Sequence, residues 1–172
     1  MKPLKLIQIP MVLTAVSLLS VLVGSSRIGG AKAASPKTSL PEPSCQAVGG
    51  TISTNFGAID ANTTMGTATG DLRGAVSGTL LGAPVAGPGG TVVFHVQHHW
   101  VTEAGETLHF DPATLTTVPL SATLFAVLTY PVHLTGGTGR YAGANGELTA
   151  IGEVDLVKGT VFRYSGTVCT AE

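Results

Sequence analysis

The side chains with most chemistry to offer are five histidines, three tyrosines and a single tryptophan, and three of the histidines fall within Thr91–Thr102, TVVFHVQHHWVT. An imidazole exchanges protons near neutral pH and ligates borderline metals, so this stretch is where general acid–base work or a zinc-type site would be sought. The metal reading does not develop. His95 and His99 are four strand residues apart, about 13 Å, too far for one ion to touch both. A two-histidine site from His99 and His109 has no third ligand, and neither an HExxH motif nor a Cys/His cluster is present. No metal is assigned.

Other catalytic arrangements are weaker still. Gly137–Ala142 matches GxGxxA with Asp155 downstream, but Gly143 and Asn145-Gly146 would break the helix a dinucleotide site needs at that point. No Gly-Lys-Ser/Thr follows to make a phosphate loop, and no GxSxG elbow offers a serine nucleophile. Glu147, Glu153 and Asp155 fall on one polar parity and read as a solvated face. No cofactor is expected.

The elements that position these residues show a period of two and no helical spacing. Strand-like runs cover 47–54, 66–81, 91–102, 106–117, 121–134, 147–156 and 160–170. Asp111-Pro112 splits the fourth run, which gives about eight strands at the regular spacing of a sandwich or barrel. Pro131 lacks an N–H for a ladder, so a bulge or irregular strand is expected there. Glu103-Ala104-Gly105 suits a three-residue hairpin ending in a left-handed glycine. That hairpin pairs Thr102 with Glu106, Trp100 with Leu108 and His98 with Phe110.

One face then carries Phe94, Val96, His98, Trp100, Leu108 and Phe110, and the other carries His95, Gln97, His99, His109 and Asp111. The same parity elsewhere gives inward sets Leu72, Val76, Leu80; Leu128, Tyr130, Val132, Leu134; Leu148, Ala150, Val154; and Phe162, Tyr164, Val168. His98 is thus the inward histidine, sharing the interior with Tyr130 and Tyr164, with Glu106 near the mouth. Polar groups in an apolar interior must bond one another, water or a ligand. Two readings follow: a His–Tyr pair that satisfies itself, or a ligand site of His98, Trp100, Phe94, Phe110, Tyr130, Tyr164 and Glu106.

His133–Gly146, HLTGGTGRYAGANG, is a glycine-rich connection through which no helix could run. Gly136, Gly137, Thr138, Gly139, Arg140, Tyr141, Ala144 and Gly146 fit the GGTG(K/R)(F/Y)xxAxG pattern, and a weaker likeness runs from Gly70-Asp71-Leu72 through HHWVTEAGET to Tyr164-Ser165-Gly166. On these segments the chain resembles the allene oxide cyclase and dirigent-like barrel superfamily, most closely its secreted bacterial members. The resemblance implies a barrel. Its plant cyclases act on an unstable fatty-acid epoxide and its dirigent proteins steer radical coupling, but the glycine signature is architectural and carries none of their catalytic residues onto this chain.

Lys2 and Lys5 precede an apolar run from Leu6 to Val23, and Ala31-Lys32-Ala33 supplies small residues at cleavage-site spacing. Residues 1–33 therefore read as a cleaved signal peptide rather than an uncleaved anchor, and Pro- and Ser-rich 34–44 as a flexible linker. Cys45 lacks the Leu-small-small context of a lipoprotein site. Residues 45–172 suit one domain. Secretion favours a disulfide between Cys45, opening the first strand, and Cys169, ending the last. Such a bridge fits closure of an up-and-down barrel; a sandwich with adjacent termini would hold it too, and the glycine signature weighs for the barrel.

Formal net charge is −1 with 11% charged residues, so no basic patch for nucleic acid or anionic lipid is expected, nor stable membrane insertion after cleavage. The expectation is an all-β, closed or nearly closed antiparallel barrel, secreted and cofactor-free. It would bind a small apolar or amphipathic ligand, or a partner, without turnover. The alternative is a barrel isomerase or cyclase using His98 with Tyr130 or Tyr164.

Overall fold

A computed structural model describes residues 44–170. The expected signal peptide and all of the expected linker except Ser44 lie outside the described residues. Eleven strands follow in order: β1 (Ser44–Phe56), β2 (Thr63–Ala68), β3 (Gly74–Leu80), β4 (Val85–Ala86), β5 (Val92–Thr102), β6 (Thr107–Phe110), β7 (Ala113–Pro119), β8 (Leu124–Thr129), β9 (Pro131–Gly137), β10 (Asn145–Asp155) and β11 (Gly159–Thr170). Among the described residues the helical structure consists of two single 3-10 turns, Pro88–Gly90 and Gly139–Tyr141.

All pairings are antiparallel and the sheet closes on itself as an eight-position barrel. β5 pairs with β6 through Trp100 and Val101 and with β7 through Val92–Val96, so β6 and β7 are one barrel position broken at Asp111-Pro112. β10 likewise pairs with β9 near its start and with β8 near its end. That second position is broken before Pro131, which has no N–H for a continuous ladder. The short β4 pairs only with β5.

The expected count of about eight holds for the barrel positions, but the runs divide differently: 66–81 holds two strands, β2 and β3, about a turn at 69–73, 121–134 holds β8 and β9, and the two halves of 106–117, β6 and β7, share one position. Alternating chain direction puts the connections 57–62, 81–91, 120–123 and 156–158 at one end of the barrel. The connections 69–73, 103–106 and 138–144 share the other end with the first and last strand residues.

At that second end Cys45 lies directly opposite Cys169 in the β1–β11 register, and the two form a disulfide. The 103–105 hairpin has the expected geometry: Gly105 has φ +82°, and the Thr102 N–H donates to the Glu106 carbonyl at 2.8 Å. The core is one cluster of inward side chains that includes Phe94, Trp100, Leu108, Phe110, Tyr130 and Tyr164.

One inward assignment fails. Leu128 is 53% exposed, while Phe125, Tyr130, Val132 and Leu134 are buried. Between β7 and β8 the register shifts as Thr116 pairs with Thr129 and Thr117 with Val127. The extra residue ahead of Pro131 turns Leu128 outward.

Candidate functional site

Strand parity makes the lumen. On β5 Phe94, Val96 and Trp100 are buried while His95 and His99 are exposed; His109 and His133 are also on the outside. His98 points inward, 5.9 Å from the Phe110 ring and 5.6 Å from Tyr130 between centroids. The lumen is not filled solid. It retains a cavity of about 70 Å³, counted as space open to the centre of a water molecule, and its lining includes Phe94, His98, Trp100, Phe110, Tyr130 and Tyr164. That is several times what one water needs.

The polar heart of the cavity is a pair. His98 Nε2 lies 2.6 Å from the Tyr130 hydroxyl. By area His98 is only half-buried, because the cavity that it lines leaves part of its surface open, yet its Nδ1 is sealed and has no hydrogen-bond partner among the described residues. Burial, with a smaller contribution from His99, lowers the His98 pKa from 6.5 to about 4. Burial also pushes the Tyr130 hydroxyl well above its ordinary value. Both groups are therefore neutral at pH 7.

Tyr164 and Trp100 line the same cavity but spend their polar atoms elsewhere. The Tyr164 hydroxyl donates to the Thr69 carbonyl at 2.9 Å and accepts from the Leu72 N–H at 3.1 Å. Trp100 Nε1 donates to the Leu72 carbonyl at 2.7 Å. Together they pin the 69–73 turn over that end of the barrel. These partners are 28 to 95 residues away in the chain, so no local pattern announced them.

Glu106 corrects the expected site: it does not line the cavity. Its carboxylate accepts the Arg140 backbone N–H at 2.9 Å and pairs with Arg140 Nε at 2.9 Å. It is drawn there because Gly139, at φ +60°, has no Cβ; a Cβ at that position would lie 2.6 Å from Glu106 Oε1. Gly137 is needed for approach rather than dihedral, since its Cβ would meet the Thr107 carbonyl and lie 2.8 Å from Tyr141 Cβ. The glycine signature thus builds a carboxylate-anchored turn, with Tyr141 and Ala144 buried beneath it.

The lining residues that were missed include three threonines: Thr54 and Thr160 are buried and share a 2.7 Å hydrogen bond, and Thr64 reaches the Gly78 carbonyl at 3.3 Å. Thr160 has the parity of Phe162 and Tyr164, which is a signal the sequence does carry. Outside, His133 Nδ1 meets Glu147 Oε1 at 2.7 Å, and His95 and His109 make only long contacts to Thr114 and Thr107. Among the described residues no three of His, Cys, Asp and Glu come together as a metal site.

No family model and no curated protein matches this chain. Among solved structures it is similar to that of the pterocarpan synthase dirigent protein GePTS1, at 15% identity, over 82% of this chain and 98% of that one, with a TM-score of 0.33.

Proposed function

We propose that this protein is a secreted, cofactor-free barrel that binds a small apolar or amphipathic ligand in its lumen and does not turn it over. The observation that carries this reading is the unfilled lumen, walled largely by apolar and aromatic side chains around the polar pairs His98–Tyr130 and Thr54–Thr160. A largely apolar cavity with few convergent polar groups is the general form of a small-molecule site.

Binding is favoured over an isomerase or cyclase on energetic grounds. Acid–base catalysis works best with groups whose pKa lies near the working pH. Here burial moves both pKa values away from neutral pH, leaving His98 a weak base and Tyr130 a weak acid. Such a pair orients a ligand better than it moves a proton. Tyr164 is a poor alternative partner, with its hydroxyl already bonded to Thr69 and Leu72.

Native mass spectrometry of protein purified from its secreting host, without organic solvent, tests the reading. The expected result is an adduct of small, neutral mass that is lost on His98→Trp, which fills the lumen, and retained on His99→Ala. Equal adduct on both variants, or no adduct together with no response of Trp100 fluorescence to apolar ligands, would contradict it.

A further inference from the structure

The hydrogen-bond inventory of the lumen defines its occupant more closely, given the lumen-binding reading above. A neutral imidazole carries one N–H and one bare nitrogen, and a phenol one O–H. If Tyr130 donates to His98 Nε2, the imidazole hydrogen is on Nδ1, which is sealed and unpartnered. If instead Nε2–H donates to the Tyr130 oxygen, the Tyr130 hydrogen has no acceptor among the described residues, and Nδ1 is a bare lone pair. Either arrangement leaves one donor without an acceptor among the described residues, the Nδ1–H in the first and the Tyr130 O–H in the second, and a buried donor without a partner is the costlier kind of orphan.

A ligand oxygen that accepts from the Tyr130 hydroxyl resolves the second arrangement. Nε2–H then donates to Tyr130, Tyr130 donates to the ligand, and only the Nδ1 lone pair is left over. The cavity holds a second unspent donor, because Thr54 and Thr160 have two hydroxyl hydrogens and share one bond. No Asp, Glu, Lys or Arg lines it, so a carboxylate or an ammonium would lose water with no countercharge in return.

We infer that the lumen takes a neutral, mostly apolar molecule bearing a hydrogen-bond-accepting oxygen, such as a ketone or ether, and that this oxygen accepts from the Tyr130 hydroxyl. With it bound, the His98 proton is on Nε2. An apolar molecule without such an oxygen fits the walls but leaves one donor of the pair orphaned, and a fatty-acid anion is disfavoured.

The experiment uses the mature protein at pH 7 with three probes of equal chain length: 2-heptanone, heptane and heptanoate. Binding is followed by fluorescence of Trp100, the only tryptophan, and the His98 tautomer by 15N NMR of the imidazole. The expected order is ketone first, tighter than heptane by about three- to tenfold, the yield of one net hydrogen bond, with heptanoate weakest. With ketone bound His98 is in the Nε2–H form, a preference that heptane does not impose. Tyr130→Phe removes the ketone's advantage; if that variant does not fold, the tautomer in the unmodified protein decides.

Equal binding of ketone and heptane, heptanoate binding as tightly as ketone, or the Nδ1–H form of His98 with ketone bound would overturn this inference and leave lumen binding standing. No perturbation of Trp100 or His98 by any probe would overturn both.

Discussion

At one end of the barrel the chain is tied by long-range bonds: the Cys45–Cys169 disulfide, the Arg140–Glu106 pair, and Tyr164 and Trp100 holding the 69–73 turn. At the other end the connections are held largely by local turns, such as Asp60 accepting from the Asn62 N–H and Asp155 from Val157, and they leave Ile59, Leu81, Leu120 and Val157 exposed. The cavity lining extends toward this second end through Thr54, Phe56, Thr64 and Leu80. Polar side chains that face inward at the tied end are spent on structure. Farther into the lumen the pairs His98–Tyr130 and Thr54–Thr160 keep hydrogen-bonding capacity to spare. The difference teaches that inward orientation alone does not mark a ligand residue; the partners of the polar atom do.

The largest expected effect lies at the tied end. Replacing both Cys45 and Cys169 by Ser removes a link between residues 124 apart, and the loop-closure model puts the loss at about 4–5 kcal/mol, read as a lower denaturant midpoint. Binding at the lumen that disappears in a variant that is still folded would show that the two ends are not independent.

Next comes acid. The folded pKa of His98, about 4, is below its unfolded value of 6.5. The unfolded chain therefore takes up a proton that the fold refuses. Above pH 6.5 this group contributes no pH dependence; stability then falls as pH drops toward 4 and levels off below it, by about 3 kcal/mol in all. Urea titrations across that window should show the slope in the parent protein and a flatter one in His98→Gln. Equal slopes would mean that His98 is not buried as a neutral imidazole.

A smaller effect is expected at the glycine turn. Gly139→Val forces a branched side chain to φ +60° and against Glu106, for a loss of about 2 kcal/mol in denaturant unfolding. Gly137→Val should cost a similar amount through contact with Thr107 and Tyr141. Unchanged midpoints for both would break the carboxylate-anchored turn. The smallest effect is at exposed His99, where His99→Ala should change stability by no more than about 0.5 kcal/mol and leave ligand binding unaltered.

Much of this was legible because a period of two fixes faces once one pairing is known. The 103–105 hairpin supplied that pairing, and from it came the inward His98 and the outward His95, His99, His109 and His133. Parity counting failed at Leu128, where the bulge before Pro131 inserts a residue that changes the phase. It could not find the destination of Glu106 or Tyr164, because their partners belong to turns that only barrel closure brings near. The 69–73 turn was hidden inside a run that stays β-rich on both sides.

The most direct test of a ligand-binding lumen separate from a structural end is 15N and 13C NMR mapping of 2-heptanone binding to the protein. The predicted result is saturable shifts confined to lumen residues, led by His98, Trp100 and Tyr130, with Arg140 and Gly139 unmoved. Shifts centred on the Arg140–Glu106 turn, or none at saturating ketone, would contradict it.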